Sequence, residues 1–254
     1  MKIGIIGLGL IGGSIALKLK EVNNNFIIYG FDQNIDSLEY SLKNQIIDKR
    51  FNPESLIDFD YIFLAIPVES IKKQLKIILD KISKQTLVID LGSTKYQICN
   101  SVKTHDKRAN FLAAHPIAGT EFSGPVAAHK DLFTNKVMIL CETENTNSSL
   151  LLSAIEIFQK LGMKIKRMDS LEHDKHIAYV SHLSHISSFM LGKTVMDKED
   201  DQQTIYDMAG SGFESTVRLA KSSPEMWSSI FIENKNNIIE SLEEYILNIN
   251  NFKK

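Results

Sequence analysis

The sequence predicts an α/β fold in which a doubly wound parallel sheet is followed by an all-helical domain. Through about the first two thirds of the 254 residues, short apolar runs alternate with segments of helical length. The first apolar run leads directly into a glycine-rich turn. Beyond residue 168 the pattern is helical, with no convincing strand. These observations predict one domain over residues 1–168 and a second over residues 169–254.

The predicted strands are continuous apolar runs rich in Ile, Val, Leu and Phe. Parallel strands covered by helices on both faces have this composition. We predict seven strands, at Lys2–Ile6, Phe26–Phe31, Tyr61–Ile66, Thr86–Leu91, Phe111–Ala114, Val137–Cys141 and Lys164–Met168. Segments of helical length between them are Ser14–Glu21, Ile35–Asn44, Glu69–Ile82 and Ser148–Leu161.

The second predicted domain consists of helices. Helical periodicity covers Leu171–Val195, Gln202–Met208, Glu214–Lys221 and Pro224–Ile249. Pro224 suits the first turn of the last of these helices. Met226 and Trp227 follow it and are predicted to be core residues. Because a few helices bury little apolar surface alone, we expect this domain to pack against the first domain, against a second copy of the chain, or both.

The composition excludes several classes of protein. With 43% apolar residues, the chain is too hydrophobic for disorder as its main state. The formal charge of -2 provides no global positive field for nucleic acid or an anionic membrane. Cys99 and Cys141 lack the spacing of a zinc site, and we expect a reducing, cytoplasmic location. The apolar run Ile3–Leu19 contains five glycines and lacks the exit of a signal peptide, so we expect no secretion.

A glycine pattern lies between the first predicted strand and its helix. Gly7, Gly9 and Gly12 form the sequence G-x-G-x-x-G. In a Rossmann-type fold the first glycine permits a tight turn, the second lets the backbone approach a pyrophosphate, and the third lets the helix pack closely on the strand. The backbone N–H groups at the start of the helix, at Leu10 and Ile11, would face the phosphates.

An acidic residue favours NAD as the dinucleotide. Asp32 ends the second predicted strand, 20 residues after Gly12. Its carboxylate can bind both hydroxyls of the adenosine ribose and would repel a 2′-phosphate. Between Asp32 and Lys43 there is no basic residue to offset that repulsion. Pro67 ends a later strand and is expected to contact the cofactor or to shape a turn beside it. The alternatives are FAD and a glycine-rich turn without a ligand.

Two polar loops follow later strands, at residues 90–95 and 115–121. Both are expected at the carboxyl edge of the sheet, where His115 lies at a strand end. There His115 could accept a hydroxyl proton while a hydride leaves the same carbon. Ser93 could hold that oxygen, and Lys95 could add positive charge or cap a local helix. A structural histidine is the alternative for His115.

The start of the second domain is rich in histidine. Spacings of three residues bring His173 near His176 and His182 near His185 on helix faces. Zinc is disfavoured because there is no HExxH sequence and the cysteines are remote, and we expect no metal. His176 and His182 are interpreted as surface or packing residues. Arg218 could bind a carboxylate through two parallel hydrogen bonds or lie exposed on a helix.

The sequence resembles the prephenate dehydrogenase family, which includes arogenate and cyclohexadienyl dehydrogenases. The resemblance covers essentially the whole chain, and its motifs occur in family order. They are GLGLIGGS at 7–14, DLGSTK at 90–95, HPIAGTEFSG at 115–124, EHDKHIAYVSHLSH at 172–185 and GSGFESTVRLAKSSPEMW at 210–227. One departure is Ser184, where family members usually have proline, which would shape the start of the helix near His185 or kink it.

The resemblance implies an NAD-binding Rossmann domain, a helical domain that forms a homodimer, and oxidative decarboxylation of a cyclohexadienyl acid. It implies that His115 is the catalytic histidine and that Ser93 holds the ring hydroxyl and the nicotinamide. His173 matches a further family histidine whose role it does not define. The implied substrate-binding residues are Thr120, Glu121, His185, Ser211 and Arg218.

Several alternatives stay open. Prephenate is favoured as substrate, but Glu121 could attract the ammonium of arogenate. Another hydroxyacid dehydrogenase would normally use a catalytic lysine in the helical domain, where this chain has His185 and Arg218. An NAD-binding regulator without turnover would not need Ser93, His115 and Arg218 together. We therefore predict an enzyme whose activity falls as His115 becomes protonated.

Overall fold

The computed structural model describes residues 1–56, 58–202 and 204–254. It divides into two compact units, Met1–His173 and Asp174–Lys254. The division falls inside a helix, Ser170–Ile177, whereas the sequence places the domain boundary after residue 168. Each unit is described by itself below.

Within the described residues of the first unit, eight strands form one sheet in the order β3-β2-β1-β4-β5-β6-β7-β8. The strands are β1 Lys2–Ile6, β2 Ile27–Phe31, β3 Lys49–Arg50, β4 Tyr61–Leu64, β5 Leu87–Asp90, β6 Phe111–Ile117, β7 Val137–Cys141 and β8 Lys164–Met168. The seven predicted strands are confirmed, with shifts at several ends. The edge strand β3 was not predicted, because it has only two residues and both are charged.

One strand pair differs from the predicted parallel sheet. Strands β6 and β7 pair antiparallel, with His115 opposite Ile139, while the other neighbours pair parallel. A parallel pair needs a long crossover, usually a helix. Between β6 and β7 the chain forms a 3₁₀ turn at Pro125–Ala127 and no α-helix. The predicted doubly wound parallel sheet is therefore confirmed for the other six strand pairs of the described residues, and the pair of β6 and β7 is the exception.

Helices connect most of the strands. They are α1 Leu10–Val22, α2 Ile35–Lys43, α3 Val68–Lys81, α4 Tyr96–Ser101 and α5 Ser148–Lys160. The four predicted helices are confirmed, and the short α4 was not predicted. The core contains inward-facing strand residues such as Ile3, Ile5 and Phe63, which pack with Ile15 and Leu19 of α1. This packing holds the carboxyl ends of the strands in a fixed arrangement.

The helical character of the sequence after residue 169 is also confirmed. The helices are α6 Ser170–Ile177, α7 Leu183–Gln202, α8 Ser211–Val217, α9 Pro224–Glu233 and α10 Lys235–Phe252. A π-helical turn, Ala178–His182, joins α6 to α7. Within the predicted helix Gln202–Met208, Gln203 lies outside the described residues, and Tyr206–Met208 forms a 3₁₀ turn.

Two details of the second unit differ from prediction. The predicted helix Pro224–Ile249 is divided at Asn234, which caps both α9 and α10. Met226 is 45% exposed, so its assignment to the core is wrong, whereas Trp227 is buried as predicted. Pro224 occupies the first turn of α9, where its missing N–H leaves no backbone hydrogen bond unmade.

Among the described residues, no helix has both the length and the apolar character of a membrane span.

Candidate active site

The glycine turn after β1 is shaped by close backbone contacts. Gly7 has φ 94°, and a Cβ there would lie 2.3 Å from the carbonyl oxygen of Ala65. A Cβ at Gly12 would lie 1.9 Å from the carbonyl oxygen of Gly7. At Gly9 a Cβ would meet no atom within 4 Å. The chain therefore needs glycine at positions 7 and 12 for its own packing, and the space beside Gly9 is open to a ligand.

The N-terminus of α1 faces this turn without a side-chain cap. Gly9 is its N-cap residue, and the first turn carries no acidic side chain. Its first N–H groups and the positive end of the helix dipole suit a pyrophosphate. A cleft of about 290 Å³ next to the turn is lined by Gly7, Gly9, Asp32, Ala65 and Pro67, among others. An extended dinucleotide fits these residues.

Asp32 lies half-buried in this cleft. Its Oδ2 accepts a hydrogen bond of 2.7 Å from the backbone N–H of Leu8, and its Oδ1 accepts one of 2.8 Å from that of Asn34. These two bonds fix the carboxylate at the end of β2. A fixed negative charge suits ribose hydroxyls and opposes a phosphate in the same place.

A buried ion pair connects the end of β5 to the middle of β6. Asp90 is the last residue of β5, and Lys95 follows five residues later. Both side chains are fully buried and form a salt bridge. Lys95 also donates a 2.8 Å hydrogen bond to the carbonyl oxygen of Ala114, and Asp90 accepts one from the N–H of Gly92. Burial raises the pKa of Asp90, while Lys95, the Gly92 amide and the charge of His173 lower it.

His115 follows the anchored carbonyl of Ala114 and lies inside β6. It was predicted at a strand end, but β6 continues to Ile117. The pairing of β6 with the parallel strand β5 ends at Ala113, so His115 still lies beyond the carboxyl end of β5. It is 9% exposed, and its Nδ1 lies 2.9 Å from Nε2 of His173, which is 1% exposed.

The other predicted residues of the first unit lie in loops. Ser93 is half-buried between β5 and α4. Thr120 is exposed and Glu121 is half-buried in the loop after β6. The Thr120 hydroxyl accepts a 3.2 Å hydrogen bond from the N–H of Phe122. Cys99 on α4 is buried, and burial raises the pKa of its thiol to about 12, so it is a poor nucleophile at neutral pH.

In the second unit, His185 stacks on an aromatic residue. Its ring lies over that of Trp227, with centroids 3.6 Å apart and planes inclined by 28°, and its Nδ1 is 3.0 Å from the carbonyl oxygen of Ser181. Burial lowers the pKa of His185, the Ser181 carbonyl raises it, and the charge of Arg218 lowers it. Arg218 is therefore close to His185. The helix continues through Ser184, whose hydroxyl contacts the carbonyl oxygen of Val180.

One histidine contact joins residues that are far apart in the sequence. His173 contacts His115, and His176 is exposed. His182 is fully buried, as expected of a packing residue, and its Nδ1 lies 3.2 Å from Nδ2 of Asn234. In the described part of the chain, no group of three or more His, Cys, Asp or Glu side chains is arranged for a metal ion.

Asp90 has no role that was predicted from the sequence. A carboxylate ending a buried apolar strand, five residues before a lysine, was the available signal. Lys95 was expected to add positive charge or cap a helix. It is the N-cap residue of α4, without a side-chain cap hydrogen bond, and its ammonium pairs with Asp90 and binds the carbonyl of Ala114. Ser211 is exposed at the start of α8, and Arg218 is exposed in the 3₁₀ turn that follows.

Comparison with protein families matches both parts of the chain. Residues 15–167 match the family model described as prephenate dehydrogenase, nucleotide-binding domain. Residues 169–254 match the model described as prephenate dehydrogenase, dimerization domain. These matches leave residues 1–14, which hold β1, the glycine turn and the start of α1, and residue 168 outside the family models.

Individual relatives and solved structures indicate the same family. Prephenate dehydrogenase of Bacillus subtilis is 30% identical over 253 residues, which are 98% of this chain and 68% of the relative. The crystal structure of Aquifex aeolicus prephenate dehydrogenase with hydroxyphenyl propionate and NAD+ is 31% identical, with a TM-score of 0.90 over 100% of this chain and 89% of that chain. Synechocystis arogenate dehydrogenase is 28% identical, with a TM-score of 0.79 over 99% and 90%.

Proposed function

The chain belongs to the prephenate dehydrogenase family and is an NAD-dependent oxidoreductase, and we propose that its substrate is prephenate. Prephenate and NAD+ would react to give 4-hydroxyphenylpyruvate, CO₂ and NADH. One observation carries the proposal. His115, a side chain able to accept a proton near neutral pH, lies buried beyond the carboxyl end of β5, with Nδ1 held by His173.

The reaction requires little covalent chemistry from the protein. When bound, NAD supplies the acceptor for the hydride that leaves the ring carbinol carbon. His115 accepts the hydroxyl proton as that carbon becomes a carbonyl. The C–C bond to the ring carboxylate then breaks, and its electron pair makes the ring aromatic and passes to the oxygen. The phenolate takes its proton back from His115, so the base is regenerated. Alignment and relief of charge at this oxygen are the tasks of the protein.

The proposed cofactor residues surround the glycine turn and the adjacent cleft. The uncapped N-terminus of α1 would hold the pyrophosphate, and Asp32 the adenosine ribose. Ser93, between β5 and α4, would hold the nicotinamide and the substrate hydroxyl. The full proposed set is Gly7, Gly9, Leu10, Ile11, Gly12, Asp32, Pro67 and Ser93.

The substrate-binding residues are proposed from the charge of the substrate. Prephenate carries two carboxylates, which a guanidinium can bind through paired hydrogen bonds. Arg218 is exposed, and His185 is close enough for the guanidinium to lower its pKa. We assign the carboxylates to Arg218, His185 and Ser211, and assign Thr120 and Glu121 to the substrate pocket.

The second unit is proposed to form a homodimer. A groove of about 670 Å³ between α7 and α9 is lined mainly by apolar side chains, including Ile186, Phe189, Met190, Trp227, Phe231 and Ile232. Ile232 is 69% exposed within this chain. Apolar area of this kind is typical of a protein interface. Ile232→Lys is expected to convert dimers to monomers in size-exclusion chromatography with light scattering, whereas the exposed Ile77→Lys on α3 leaves the mass unchanged.

The substrate is tested by mixing the purified protein with NAD and either prephenate or arogenate and following NADH absorbance. We expect faster NADH formation from prephenate. Preference for arogenate would transfer the proposal to that substrate and direct attention to Glu121, whose carboxylate could bind its ammonium. Absence of NADH from both substrates, in protein that binds NAD, would overturn the proposal and favour another hydroxyacid substrate or a regulator.

A further inference from the structure

We propose that His173 is a positioning residue, which holds His115 in the tautomer with its proton on Nδ1 and thereby makes Nε2 the acceptor for the substrate hydroxyl. This inference rests on the function proposed above. His173 touches His115 in the structure and is assigned no contact with the substrate.

The geometry of the two rings limits their protonation. Nδ1 of His115 and Nε2 of His173 are 2.9 Å apart, and the ring centroids are 5.1 Å apart with planes inclined by 68°. Two neutral rings at this separation need one N–H donor and one lone-pair acceptor. If His115 donates from Nδ1, its own basic nitrogen is Nε2. If His173 donates instead, Nε2 of His115 carries the proton and cannot act as a base.

The surroundings fix both rings in place. His173 is 1% exposed on α6, so its side chain has little freedom to turn away. His115 is held by the strand, because Lys95 binds the carbonyl of Ala114 while pairing with Asp90. Asp90 is near enough to His173 for a charge on that ring to lower the pKa of the carboxyl. A proton taken up by His115 or His173 therefore places its positive charge close to the buried carboxylate of Asp90.

The role is that of an orienting group behind a catalytic base. In such arrangements the partner of the second ring nitrogen sets the tautomer and the orientation of the imidazole. Loss of the orienting partner of a metal-bound histidine typically costs about 10- to 100-fold in activity, and we expect a comparable loss here. The contribution falls on kcat, since the substrate and NAD are bound by other residues.

The tautomer can be read directly by NMR of protein labelled with ¹⁵N-histidine, without any substrate. Resonances of His115 are identified by their loss in His115→Asn. We expect Nδ1 of His115 to have the chemical shift of a protonated ring nitrogen and Nε2 that of an unprotonated one. A proton on Nε2 in the wild-type protein would overturn the inference.

Kinetics of three variants complete the test. His173→Leu removes the acceptor and fills similar space, and we expect kcat with prephenate to fall about 10- to 100-fold while KM for prephenate and NAD changes little. His173→Gln can place an amide oxygen near the position of Nε2 and should recover much of kcat. His176→Gln, an exposed histidine on the same helix, serves as the matched control with unchanged kcat.

The outcomes separate the two proposals. Wild-type protein that forms no NADH from either substrate refutes the proposed function, and the NMR spectrum still decides the tautomer. An active wild type with an equally fast His173→Leu refutes the positioning role alone. If His173→Leu fails to fold, His173→Gln and the wild-type spectrum still decide, because a Gln variant with lost activity and an unprotonated Nδ1 would contradict the inference.

Discussion

In the first unit, the ionisable side chains beyond β5 are buried and paired, whereas the polar residues proposed for substrate binding in the second unit are largely exposed. Asp90, Lys95, His115 and His173 each lie at or below 9% exposure. Asp90 pairs with Lys95, and His115 contacts His173. Arg218 and Ser211 are exposed on short helical segments, and the groove between α7 and α9 of the same unit is lined mainly by apolar side chains.

This difference has a physical basis. A buried charge is costly unless it is paired, so the strand register and the partners fix the position of each group in the first unit. Exposed side chains keep their rotamer freedom and their hydration until a ligand orders them. We conclude that the first unit holds preorganised groups suited to proton transfer, and that the second provides groups suited to binding.

The largest expected effect tests the chemical part of this comparison. His115→Asn retains a polar side chain but removes the base, and we expect kcat with prephenate to fall about 10²- to 10⁴-fold. The affinity for NAD, measured by calorimetry, should be unchanged because the glycine turn is intact. A variant with full activity would remove His115 from the mechanism.

The buried ion pair gives the next largest effect. Lys95→Met leaves Asp90 buried without its cation, and we expect the free energy of unfolding to fall by about 3–5 kcal/mol in urea denaturation. The double variant Lys95→Met/Asp90→Asn should recover part of this loss. Lys73→Met is the matched control, because Lys73 and Glu69 form an exposed pair on α3, and its expected change is below about 1 kcal/mol. Equal effects at both lysines would contradict the contrast between buried and exposed charges.

The cofactor cleft gives a smaller, selective effect. Asp32→Asn keeps the shape of the side chain and removes its charge, and we expect the Kd for NAD to rise about 10-fold, as for loss of one charged hydrogen bond. The preference for NAD over NADP should fall as well. Asp36→Asn, at an exposed position in the first turn of α2, is the control. Unchanged discrimination in Asp32→Asn would exclude Asp32 from ribose binding.

The smallest effect concerns the stability of the second unit in acid. Burial lowers the pKa of His185 below its usual 6.5. The unfolded chain therefore binds more protons, and stability is lost as the pH falls below about 6.5. Urea denaturation at pH 7.5 and pH 5.5 should show a greater loss for wild type than for His185→Gln. An equal loss in both proteins would contradict burial of a neutral His185.

Local patterns in the sequence were sufficient for most of the fold. Continuous apolar runs predicted seven of the strands because burial on both faces leaves no polar alternation. The antiparallel pairing of β6 with β7 was missed, since it depends on how the loop after Ile117 returns rather than on the composition of either strand. The two-residue strand β3 is too short and too polar for any pattern to indicate it.

The candidate site was predictable only in part. His115 and Ser93 were identified because polar residues after apolar strands meet at one edge of a sheet. The contact between His115 and His173 joins residues 58 positions apart, and helical spacing pointed instead to His176. The buried ion pair of Asp90 and Lys95 was not predicted, because the burial of both side chains is a property of the packed sheet.

The most direct test of the account is the pH dependence of kcat/KM for prephenate, followed by NADH absorbance in wild type and in His115→Asn. We predict that the wild-type value falls on the acidic side as His115 becomes protonated, while the residual activity of His115→Asn loses this limb. A wild-type profile that is flat through the acidic range, or an identical acidic limb in both proteins, would contradict the assignment of His115 as the base.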